Sequence, residues 1–71
     1  MPHHVVSDLV ANVLSIAVEK GQSVEPGTEI ALLESMKMEI PVLTEHAGTV
    51  SEVKVEVGDV VQEGDILAVI D

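Results

Sequence analysis

The chain has 71 residues, 46% of them hydrophobic, with no aromatic residue and no cysteine. A chain this short forms one domain with a thin aliphatic core, which disfavours a deep catalytic cleft; without Cys it has neither a disulfide staple nor a thiolate metal site. The formal net charge of −10, from 13 acids against three lysines, would repel a nucleic-acid backbone and suits either solubility or a basic surface on a protein partner.

The opening "MPHHVVS" has no basic n-region and no apolar h-region, so no signal peptide is expected. No apolar run approaches the roughly 20 residues of a membrane span, and the expected location is the cytoplasm. This segment can add one edge strand. Residues 11–34, "ANVLSIAVEKGQSVEPGTEIALLE", then return as residues 48–71, "GTVSEVKVEVGDVVQEGDILAVID", at a gapless offset of 37 (11 to 48). Identical pairs are Val13/Val50, Val18/Val55, Glu19/Glu56, Gly21/Gly58, Val24/Val61, Gly27/Gly64 and Ala31/Ala68.

Each half reads the same way. A β-branched run alternates apolar and polar, most clearly at Val53, Val55 and Val57. A turn follows at Gly21 or Gly58, then a short link through Val24 or Val61 to a second Gly. A second apolar strand covers 30–33 or 66–70. No segment sustains a 3.6-residue period, so an all-β single domain over 1–71, built of two similar halves around one core, is expected.

Between the halves lies "ALLESMKMEIPV", residues 31–42. Its composition favours helix. Yet Met36, Met38, Ile40 and Val42 fall at every second position, and Pro41 would break a helix. The repeat makes 30–34 a strand, so the chain must reverse near 35–37 before a strand over 38–43. Lys37 then sits at a hairpin tip. Two-residue hairpins prefer Asn-Gly or Asp-Gly because both central residues need φ > 0, and Met36-Lys37 ignores that preference. A tip lysine can serve as a nucleophile, as a cation for an acidic partner or as a site of covalent modification. Exposure weakens the first option, since catalytic lysines are usually activated by burial. His3, His4 and His46 have no convincing metal-ligand spacing, and Lys20 and Lys54 read as surface charges.

"ESMKMEIPV", with the paired half-motifs around it, resembles the attachment region of the biotinyl/lipoyl domain family, whose biotin branch carries a Glu-Ala-Met-Lys-Met pattern. The resemblance covers about residues 9–71, and the length is most similar to single-domain biotin/lipoyl attachment proteins of that family. It implies a flattened β-barrel, a barrel-sandwich hybrid of two antiparallel four-stranded sheets with pseudo-two-fold symmetry. It also implies a non-enzymatic carrier in which a biotin protein ligase joins biotin to Lys37 through an amide, taking the net charge to −11. Met36, Met38 and Glu34 would be the flanks the ligase reads. The arm would carry a carboxyl group between a biotin carboxylase and a carboxyltransferase, with no nucleic-acid, membrane or metal partner and a monomeric state. Ser35 departs from the family's usual Ala, Ala11-Asn12 from its usual Pro-rich stretch and Gly, and no "thumb" insertion precedes the hairpin. Two rivals stand beside this reading. One is a lipoyl carrier, whose sites usually have an Asp-Lys-Ala-like core. The other is an unmodified acidic interaction module that has kept the fold.

Overall fold

A computed structural model describes residues 2–71. They form eight strands and, among the described residues, no helix: β1 (His3–Val6), β2 (Ala11–Ile16), β3 (Ser23–Val24), β4 (Glu29–Ser35), β5 (Met38–Leu43), β6 (Gly48–Val53), β7 (Val60–Val61) and β8 (Ile66–Ile70). Two four-stranded antiparallel sheets, in the orders β1-β8-β6-β3 and β5-β4-β2-β7, face one another as a flattened barrel.

The two orders interconvert when each residue is replaced by its partner 37 positions away. His3 pairs with Ile70, His4 with Val69 and Val5 with Ala68; their counterparts Ile40, Pro41 and Val42 pair with Leu33, Leu32 and Ala31. The β-bulges repeat as well, between Val13 and Ser15 on β2 and between Val50 and Glu52 on β6. The structural repeat therefore begins earlier than residues 11 and 48, at His3 and Ile40. Ser7 and Thr44 occupy equivalent buried positions. Each hydroxyl donates to the carbonyl two residues on, at Leu9 or His46, and accepts the N–H of that residue. Both polar side chains are satisfied locally, so their burial costs little.

The core is built from counterparts gathered in one cluster: Val13 and Val50, Val24 and Val61, Ile30 and Leu67, Leu33 and Ile70, all but excluded from water. Aliphatic side chains suffice because each sheet, built of two strands from each half, contributes one apolar face and no large interior has to be filled. The alternation at Val53, Val55 and Val57 outruns its strand. Strand β6 stops at Val53; Val55 still packs on the core, but Val57 is solvent-exposed. The cause is the turn at Glu56–Asp59, where the Asp59 carboxylate accepts the Glu56 N–H and the Asp59 N–H donates back to the Glu56 carbonyl.

Candidate functional site at the β4–β5 hairpin

Strands β4 and β5 stay in register to their shared end: Leu33 opposite Ile40, Glu34 opposite Glu39, Ser35 opposite Met38. Two residues are left to reverse the chain. Both are left-handed, Met36 at φ 53° and Lys37 at φ 66°, and they are the only non-glycine residues with positive φ among those described. This is the backbone of a two-residue turn whose twist matches the flanking strands. The helix-favouring composition of the stretch is overridden by the strand pairing on either side of it.

The turn puts its side chains into solvent. Met36 is 92% exposed and Met38 63%, far above what soft core-filling methionines show. Lys37 is exposed too. Among the described residues the only ion pair joins Lys54 to Glu52, on β6 and just beyond it. That contact, through hydrogen bond and charge, holds the Glu52 carboxyl below its ordinary range. Glu34 and Glu39, directly opposite one another, are a like-charge pair one step below the tip.

The four residues singled out from sequence, Glu34, Met36, Lys37 and Met38, thus lie together at one end of the molecule. The three histidines do not join them. His3 stacks on His46, ring centroids 3.7 Å apart, at the far end of β5. No group of three potential metal ligands is assembled among the described residues. A shallow groove of about 280 Å³ between edge strands β1 and β5 is lined by residues 4–6, 8–9 and 40–46 and stops short of the tip. Four exposed aliphatic residues, Leu14 on β2, Val60 on β7 and Val10 and Val57 just outside these strands, are marked in the sequence only by differences between the two halves.

Lys37 is thus held out in solvent at the tip of a two-residue hairpin turn, the geometry of an attachment point presented to a partner. The chain belongs to the biotinyl/lipoyl attachment family: residues 2–70 match the family described as biotin-requiring enzyme. It is 53% identical over 70 residues to the biotinylated protein TB7.3 homolog of Mycobacterium leprae, covering 99% of each chain. It is 48% identical over 59 residues to the biotin/lipoyl attachment protein of Bacillus subtilis, covering 83% of this chain and 81% of that one. Among solved structures it superposes on the urea carboxylase of Kluyveromyces lactis with a TM-score of 0.93 at 28% identity, over the whole of this chain and 6% of that one.

Proposed function

We propose that the chain is a single-domain biotin carrier modified at Lys37. The observation that carries this reading is the Met36-Lys37-Met38 tip, where two residues without glycine's freedom hold left-handed backbone and their side chains face water. A turn that forgoes the favourable Asn-Gly pair has a use for its side chains. The relatives described as biotinylated, and the likeness to a carboxylase, support biotin as the group attached.

A biotin protein ligase would bring biotinyl-adenylate to the tip. The Lys37 Nζ, once its proton is removed, attacks the acyl carbon; the amide C–N bond forms, the bond from acyl carbon to phosphate oxygen breaks, and AMP leaves. Met36 and Met38 would give the ligase its apolar grip, and Glu34 an acidic contact. Biotin supplies the carboxyl-carrying chemistry, while the protein supplies presentation to carboxylase and carboxyltransferase partners. The chain itself then acts as a monomeric substrate and carrier.

Intact-mass analysis of the protein from biotin-replete cells tests this. The mass should exceed that of the bare chain by one biotinyl group, and Lys37→Arg should abolish the increment. A lipoyl increment would replace the cofactor assignment. A biotinyl increment that survives Lys37→Arg would move the site to Lys20 or Lys54.

A further inference from the structure

The large hydrophobic residues most exposed to solvent sort into three groups. Val6 and Leu43 are counterparts of one another, and Met36 and Met38 belong to the tip. The other four, Val10, Leu14, Val57 and Val60, all lie along strands β2 and β7 or beside their ends, on one outer face of the molecule. Val60 pairs with Asn12, which pairs in turn with Glu34 beneath the tip. Val10 lies two residues beyond Asn12 in the direction of the tip. The Gly58 N–H donates to the Val13 carbonyl, setting Val57 beside Leu14. The four therefore form an aliphatic strip descending from the lysine end.

The duplication supplies an internal control. At the equivalent places the other half carries Ala47 for Val10, Ser51 for Leu14, Lys20 for Val57 and Ser23 for Val60. The same fold positions tolerate small and polar residues, so the fold does not demand the aliphatic ones. Val60 and Val10 are 66% and 62% exposed, and they contribute little to the core. They sit on an edge strand and next to it, where apolar residues are an association hazard unless a partner uses them.

We infer that this strip is the docking surface for the biotin protein ligase, extending its contact from the hairpin onto the β2–β7 edge; the inference rests on Lys37 being the biotinylation site. Two observations select that occupant. First, a second copy is disfavoured: Glu34 lies across Asn12 from Val60, Asp59 directly precedes Val60, and two chains of net charge −10 would be pressed together. A partner with an apolar recess rimmed by Lys and Arg fits instead. Second, acylation happens at Nζ of a bare lysine, whose reach is only its own side chain, so the ligase must cover neighbouring strands. A carboxylase meets the far end of a longer biotinyl arm and has no such need.

The test is steady-state biotinylation of the unmodified protein by purified biotin protein ligase. V10A/V60S installs the two residues the other half already carries, and A47S/S23A alters the equivalent places in that half. The expected result is a KM about tenfold higher for V10A/V60S with kcat retained, and no change for A47S/S23A. A KM within twofold of wild type, or an equal rise in both variants, overturns the docking surface while leaving Lys37 modification intact. Normal ligation with impaired carboxyl transfer by V10A/V60S also overturns it, assigning the strip to a carboxylase. Failure of the wild-type protein to take biotin overturns the Lys37 reading and the strip's occupant together.

Discussion

Replacing Met36 by Asn should make the protein more stable and a poorer ligase substrate. Met36 holds φ 53° and Lys37 φ 66°. Left-handed backbone costs a residue with an ordinary side chain about 1–2 kcal/mol, and Asn and Gly escape much or all of it. Asn at position 36 should recover about 0.5–1 kcal/mol, and M36N/K37G about 1.5–2 kcal/mol in total. For a domain of this size each kcal/mol shifts Tm by about 4–8 °C, so the double variant should melt about 6–16 °C higher. Urea unfolding followed by far-UV circular dichroism gives the free energies, and calorimetry the midpoints. The same M36N protein, with Lys37 intact, should be biotinylated less efficiently, since an apolar flank is gone. Stability equal to or below wild type in M36N/K37G would mean that the tip holds no backbone strain, and the explanation of its odd residues would fail.

Other perturbations have equally definite outcomes. Gly48 has φ +154°, and a Cβ there would come within 2.2 Å of the Asp71 carbonyl oxygen and 2.9 Å of Ile70 Cγ2. Gly48→Ala should therefore cost at least about 2 kcal/mol, read by chemical denaturation; a neutral result would mean that the β6–β8 end yields easily. Leu33, fully buried on the strand leading to the tip, should lose about 3–5 kcal/mol on truncation to Ala, against a total of about 4–10 kcal/mol for a chain of this length. Lys54→Ala should raise the Glu52 carboxyl toward its ordinary value in a carbon-detected NMR titration. Because Glu52 is depressed in the folded state, its pairing contributes above the unfolded carboxylate range and fades as pH falls through the folded value. An unmoved Glu52 midpoint would show that Lys54 does not hold that carboxyl.

The hairpin could be read from sequence because three independent signals agree there: a period of two through Met36, Met38, Ile40 and Val42, a Pro41 that forbids helix, and a repeat that makes 30–34 a strand. The repeat itself was visible where packing or turn geometry restricts identity, as at Val13/Val50 and Gly21/Gly58. Across 3–10 and 40–47 the one identical pair is Val5 and Val42, although the strands, bulges and buried hydroxyls of Ser7 and Thr44 repeat as faithfully as the core. A backbone role that Ser and Thr both fill leaves little trace in residue identity. Val57 misled for the opposite reason. Alternation records which way side chains point but not where pairing ends, and a carboxylate-closed turn ends it after Val53. The aliphatic strip depends on sheet order, since Val60 looks like any strand valine until β7 is seen to be an edge.

Pairing of His3 with Ile70 is the counterpart of Ile40 with Leu33, so the ends of the described chain occupy in one half the place that the lysine hairpin occupies in the other. The His3–His46 stack sets that place at the opposite pole of a body 32 Å long. Topologically the fold is a ring of two equivalent arcs, closed at one junction and cut at the other. A linker attached to either end would leave from the pole away from Lys37, so tension on it would turn the hairpin tip outward instead of masking it.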